Sequence, residues 1–338
     1  MVLSTVTSNH SCQPNLLDAW EKGKLHLVIL LFAMFAGLFT LSKTALMSAE
    51  PFFLVGSRML LAGLLLLIYE IVIRRRTYQI NRTKLIGLFV FGLFAFYFTN
   101  TSEIWGLQYM SSAKACLIYS LSPFVAAMLA FPLLKEKLTP KKSIGLCVGF
   151  LGILPLLLVE GSTDELMKEL SGIAWPDLAL IMAVFSSAYG WILLKRLMSE
   201  HRFSAVFSNG IAMLIGGTFA IVHSYAVGET WDPFPVYENQ WGLYIECTLW
   251  MTVISNIICY NLYGHLLKKF SATFMAFAGL VTPLFASLFG WFFLDELITW
   301  HFYVAMVIFS IGLTVFYLEE LPSFSLYQKQ ANNLNPSS

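Results

Sequence analysis

Apolar runs long enough to cross a bilayer recur along this chain with only short polar breaks between them, and that spacing leaves few folds open. The runs lie near residues 25–47, 52–73, 85–106, 111–133, 143–159, 175–194, 204–226, 241–264, 270–293 and 300–318. Breaks as tight as 48–51 and 107–110 imply helical hairpins. Composition supports the same reading. Of 338 residues, 57% are hydrophobic and 12% are charged, roughly half the charged share of a soluble domain. Too little polar surface remains to cover a globule in water, so lipid must solvate much of the chain. The first run is preceded by a polar segment and is too long for the apolar core of a signal peptide, so it reads as the first span.

Basic residues orient the spans. With the N-terminus in the cytoplasm, the cytoplasmic segments hold Lys22 and Lys24, then Arg74, Arg75, Arg76, Arg82 and Lys84, then Lys135, Lys137, Lys141 and Lys142. They also hold Lys195, Arg196 and Arg202, then Lys268 and Lys269, and finally Lys329. External segments hold only Lys168, while Lys43, Arg58 and Lys114 fall within spans. The fold class expected is an all-α membrane protein of ten transmembrane helices with both termini cytoplasmic. Its parts are a cytoplasmic tail at 1–24, five spans over 25–159, an external loop at 160–174, five spans over 175–318 and a polar tail at 319–338, expected to be disordered. The expected location is the cell membrane of a bacterium, the inner one, with the lipid bilayer as partner and a monomer as the working unit.

The chain also repeats at an offset of 160 residues. Ser111 matches Ser271, Pro123 matches Pro283, Ala126 matches Ala286, Leu134 matches Leu294 and Glu136 matches Glu296. Thr139 matches Thr299, Gly152 matches Gly312 and Glu160 matches Glu320. Five spans are an odd number, so two such halves in one chain must point in opposite directions. Inverted repeats around a midplane site are an architecture of secondary transporters, because two related conformations can expose that site to either side in turn.

Leu134-Lys135-Glu136 after a proline-bearing helix, followed by a glycine-rich helix, resembles the EamA module of the drug/metabolite transporter superfamily. Leu294-Asp295-Glu296 resembles the same module again, and the stretch from Lys43 through Pro51 to Arg58 is similar to that family's opening. The likeness covers roughly 25–318 and implies a ten-helix carrier with a cavity between its halves. Nothing in the second half matches Lys43 or Arg58, so the halves are not chemically equivalent. Within the superfamily the sequence most resembles the S-adenosylmethionine/S-adenosylhomocysteine carriers of obligate intracellular bacteria such as chlamydiae. That likeness implies uptake of the first compound in exchange for the second by alternating access. A proton-coupled exporter of amino acids or cationic drugs is the alternative. A membrane-embedded enzyme and a channel remain as other classes.

An ionised side chain at the centre of a spanning helix costs about 2.5–3.5 kcal/mol on insertion scales. Lys43, Arg58, Glu103, Lys114, Asp177 and Glu246 are such residues, all toward the outer ends of their spans. A balanced set of charges suits a small zwitterionic or nucleoside-like metabolite, with a cation meeting its carboxylate and an acid meeting its ammonium or sulfonium. The competing reading is that these groups pair with one another or snorkel to the interface. Arg58 in particular is expected to sit in an ion pair joining helices, so that its removal damages folding at least as much as flux. Thr99-Asn100-Thr101-Ser102-Glu103 cannot all face lipid, so some must line a cavity or bond a neighbour. Glu246, Trp250 and Tyr260 fall on one helical face with Asn256 at its edge, where an acid beside aromatics would suit a cation or nucleobase. Tyr119, Ser122, Ser186, Ser187 and Tyr189 are weaker candidates.

Pro123 and Pro283 are expected to kink their spans near the cavity. Glu136 and Glu296 are expected to bond backbone amides of the following helix. Gly145 and Gly149 allow a close helix contact, expected within the chain. Cys116, Cys147, Cys247 and Cys259 lie in apolar runs and Cys12 in the tail, with no metal spacing and no disulfide framework. No phosphate-cradling loop, cofactor motif, catalytic constellation or nucleic-acid-binding patch is present, so neither a cofactor nor a nucleic-acid partner is expected.

Overall fold

The computed structural model describes residues 25–109, 115, 118–136, 138–160, 174–231, 234–294 and 300–334. They form α1 (Leu25–Leu46), α2 (Pro51–Ile73), α3 (Arg82–Leu107), α4 (Ser122–Leu134), α5 (Pro140–Glu160) and α6 (Trp175–Glu200). Then follow α7 (Ala205–Ala226), α8 (Trp241–Leu266), α9 (Ala272–Ala278), α10 (Thr282–Leu294) and α11 (Trp300–Leu334). Among the described residues the only strand-like pairing is an isolated bridge between Ala49 and Val236.

Helix starts follow local chemistry. Pro51 opens α2, where its missing amide hydrogen costs nothing. The side chains of Asn81, Ser204 and Ser271 accept hydrogen bonds from the amides of Lys84, Phe207 and Phe274, capping α3, α7 and α9.

Among the described residues, seven helical stretches are long and apolar enough to cross a membrane: α1, α2, α3, α6, α7, α8 and Phe302–Glu319 within α11. The runs expected at 111–133 and 270–293 are instead broken. Pro123 is the second residue of α4, just after a turn at Ser120–Leu121, and Pro283 is the second residue of α10. A 3₁₀ turn at Gly279–Val281 separates α9 from α10. Each of these two prolines takes a first-turn position, where no amide hydrogen is needed, and each span stops and restarts where a kink was expected. The tail expected to be disordered also differs, because α11 stays helical to Leu334. Extending a formed helix costs far less than nucleating one.

Two helix pairs pack along much of their length, α2 against α7 and α5 against α11. Small residues permit both. A Cβ on Gly63 would lie 2.8 Å from the carbonyl oxygen of Gly210, and one on Gly217 3.1 Å from that of Gly56. A Cβ on Gly145 would lie 2.8 Å from the Gly312 carbonyl oxygen, and one on Gly312 would lie 2.6 Å from the Gly149 amide nitrogen, so that contact lies within the chain.

Carboxylates tie the helix ends. Glu229, just after α7, accepts from the amides of Phe52 and Phe53 at the start of α2, at 2.8 and 3.0 Å. Glu70, in the last turn of α2, accepts from Tyr78 and from the α7 cap Ser204, the latter at 2.7 Å. Beside Glu229, the Tyr237 amide donates to the Ser48 carbonyl at 2.9 Å and the Glu50 amide to the Pro235 carbonyl at 3.0 Å. Burial and the neighbouring Glu229 push the Glu50 carboxyl above its ordinary range, against a hydrogen bond from Tyr237. Glu229→Ala should cost about 1–2 kcal/mol, a typical capping loss. A lowered thermal midpoint in detergent, absent from Glu229→Asp, would check it.

Candidate functional site

One cavity of about 190 Å³ opens among α1, α2, α3, the residues leading into α4, and α6, α8, α9 and α10. Its polar side is built on α2 and α3. Arg58 is buried, at 6% exposure, and donates from Nη2 to Asn100 Oδ1 at 2.8 Å. Glu103, one turn further along α3, accepts from the Tyr119 hydroxyl at 2.6 Å. Arg58 and Glu103 line the same cavity, yet no ion pair joins them. Each is held by a neutral partner instead. Arg58 Nε is buried and has no hydrogen-bond partner.

The backbone of α3 explains how polar residues survive there. Gly92–Phe98 is wound as a π-helix, which loosens the regular hydrogen-bond ladder just before Thr99. Thr99, Asn100 and Thr101 bond back to the carbonyls of Phe94, Phe96 and Tyr97 at 2.7, 3.0 and 2.6 Å. Thr99, Asn100 and Glu103 line the cavity, while Thr101 is spent on its own backbone.

The opposite wall is aromatic. Trp191 of α6 stacks on Tyr263 of α8 with ring centres 3.8 Å apart and planes 16° apart. Tyr260 lies 5.3 Å from Trp191, and Phe32 and Phe35 of α1 meet Tyr263 and Tyr260 edge-on. Between the two walls, Ser120, Ser122, Thr282 and Pro283 bring the starts of α4 and α10 to the cavity. The dipoles of such half-helix starts favour negative charge.

Of the residues singled out from sequence, Arg58, Asn100, Glu103, Tyr119, Tyr260 and Pro283 line this cavity, as do Ser122 and Ser187. Asn256 lies behind the lining, fully buried, bonding the Arg58 carbonyl at 3.4 Å. Lys43 is half-buried beside the lining residue Ser42. Pro123 is buried against the bundle and is not part of the wall. Lys114 and Glu296 lie outside the described residues. Asp177 is a helix-start group, accepting from the Ala174 amide at 2.9 Å.

Glu246 and Trp250 are a correction. Both are exposed on the outside of α8 and neither lines the cavity. The expected face assumed a regular 100° step, but Thr252–Cys259 is a π-helix. The lining residues of α8 are Met251, Ser255, Tyr260 and Tyr263, with a five-residue step across the π segment. Trp191 and Tyr263 were missed because an aromatic in an apolar span carries no sign of which way it faces.

Glu136 and its partners lie away from the cavity. Its carboxylate bonds the amides of Ala272 and Thr273 at the start of α9, rather than those of the following helix α5.

A family model described as the EamA-like transporter family matches residues 24–158 and again 174–318. A protein named S-adenosylmethionine/S-adenosylhomocysteine transporter from Chlamydia muridarum is 38% identical over 305 residues, covering 89% of this chain and 93% of that protein. A namesake from Chlamydia trachomatis serovar L2 is 38% identical over 297 residues, covering 88% and 89%. An uncharacterized transporter of Bacillus subtilis is 26% identical, covering 74% and 79%. One solved crystal structure, 16% identical, superposes with a TM-score of 0.62 over 87% of this chain and 95% of its own, a likeness of fold alone.

Proposed function

This chain belongs to the EamA-like transporter family, and from that premise we propose that it takes up S-adenosylmethionine in exchange for S-adenosylhomocysteine by alternating access. The observation that carries this reading is the pair Arg58 and Glu103. They share one cavity, and each is anchored by a neutral side chain instead of by the other. A solute with a carboxylate and a cationic centre can bridge them. Arg58 takes the carboxylate, helped by the half-helix starts at Ser122 and Thr282. Glu103 takes the sulfonium, and the Trp191–Tyr263 wall offers a face for the adenine ring. The names of the chlamydial relatives support the same substrate pair.

The membrane arrangement proposed is ten spans in two oppositely directed halves, 25–159 and 175–318, with both termini cytoplasmic. The lysine and arginine distribution supports it. So do the ties at the ends of α2 and α7. Glu70 holds the start of α7, and Glu229, 159 residues later, holds the start of α2. Two halves related by inversion would make such reciprocal bonds at opposite faces.

Purified protein in proteoliposomes tests the exchange. Uptake of labelled S-adenosylmethionine should depend on internal S-adenosylhomocysteine and ignore a pH gradient. Flux that follows the pH gradient and ignores the internal solute would assign proton-coupled export instead. Glu103→Gln keeps the shape and the Tyr119 contact but removes the charge. Affinity for the cationic S-adenosylmethionine should fall about tenfold, the weight of one charge-assisted contact, and affinity for neutral S-adenosylhomocysteine far less. Equal losses for both would move Glu103 from the sulfonium to the ammonium that both solutes carry, and no loss for either would remove it from the site.

A further inference from the structure

We propose that Glu136 is the gate residue on the basic, cytoplasmic side of the carrier, closing a latch between the two halves that must open whenever the cavity empties toward that side. The inference rests on the alternating-access reading above but not on the identity of the solute.

The chain turns sharply to place this side chain. Lys135 ends α4 in the left-handed conformation, with φ 55°, and the Glu136 amide closes the turn onto the Ala130 carbonyl. From there the carboxylate leaves its own half. Oε1 accepts from Lys195 Nζ at 2.9 Å and from the Ala272 amide at 3.0 Å. Oε2 accepts from the Thr273 amide at 3.4 Å and its hydroxyl at 3.2 Å. Lys195 Nζ also donates to the Phe270 carbonyl at 3.1 Å. Every partner thus belongs to the second matched segment, while Glu136 belongs to the first. Burial opposes ionisation, but Lys195 and the two amides outweigh it and hold the carboxyl below its ordinary range.

The latch is coupled to the cavity floor. Trp191 and Lys195 are four residues apart on α6 and so share one face of it. Trp191 stacks on Tyr263 and lines the cavity. A movement of α6 that parts Lys195 from Glu136 would carry Trp191 away from Tyr263 as well. By contrast, α2 and α7 are tied by Glu70 at one end and Glu229 at the other, so that pair is fixed at both faces.

The test reads cavity access and needs no substrate. A cysteine replaces Ser187 in the full chain after the native cysteines are removed, and a membrane-impermeant maleimide is applied to either face of oriented vesicles. Adding Glu136→Gln should raise the labelling rate from the cytoplasmic face about tenfold and lower it from the other face, whereas Glu136→Asp should stay near the parent. An unchanged cytoplasmic rate overturns the proposal. So does an equal rise from both faces, which would be general loosening. If Glu136→Gln and Lys195→Met both fail to fold, the contact is a static strut and the proposal also falls. Failure of S-adenosylmethionine exchange would leave this readout untouched.

Discussion

Arg58→Ala is expected to cut exchange by about 10- to 150-fold while leaving the protein folded. Arg58 is the sole cation among the described residues lining the cavity. Its loss removes a charge-assisted bond to the substrate carboxylate, worth about 1.5–3 kcal/mol. The stability side nearly cancels. Asn100 Oδ1 loses its donor, a cost of about 1–3 kcal/mol, but its side-chain amide still donates to the Phe96 carbonyl. Against that cost, a buried guanidinium with an unpartnered Nε and no ion pair is itself unfavourable, and removing it relieves the bundle. This reverses the expectation from sequence that folding would suffer at least as much as flux. Arg58→Lys should fall between, because an ammonium cannot serve Asn100 and a carboxylate with the planar fork of arginine. Thermal unfolding in detergent and proteoliposome exchange, measured on the same preparations, separate the two effects. A destabilised Arg58→Ala with near-normal flux would return Arg58 to a structural role.

What the sequence could reveal follows from what sets each feature. Helix positions were legible because lipid demands long apolar runs, and nearly every described helix falls on one. The prolines marked the interruptions, but not their kind. A kink and a stop differ only in whether the preceding carbonyls find partners, which depends on neighbouring helices. Arg58, Asn100 and Glu103 were legible because charge in a span has to be accommodated somewhere. The face of α8 was not, because a π segment is a matter of ladder register and leaves no fixed residue pattern. Trp250 and Tyr260 look equivalent on a regular wheel, yet one is exposed and the other lines the cavity. The partner of Glu136 was half legible. A carboxylate after a helix suggests amide bonding, but only the packing of α4 beside α9 shows whose amides it finds.

Gly312→Leu should do the largest damage to the fold, about 3 kcal/mol through overpacking. A Cβ at Gly312 would lie 2.6 Å from the Gly149 amide nitrogen and 2.7 Å from the Gly145 carbonyl oxygen. Both obstacles are backbone, so no rotamer change can relieve them. Helix association in lipid draws on close packing rather than on a hydrophobic drive, and α5 and α11 would have to part along their length. Even Gly312→Ala brings the first clashing atom, so most of the loss should already be present there. Gly37 supplies the contrast. It lies on the exposed face of α1, and nothing comes within 4 Å of a Cβ built on it. Gly37→Ala should therefore be neutral or stabilise by about 0.5–1 kcal/mol through helix propensity. Thermal midpoints of the three variants in one detergent decide the matter. If both alanine variants behave alike, close approach at Gly312 is not what holds α5 to α11.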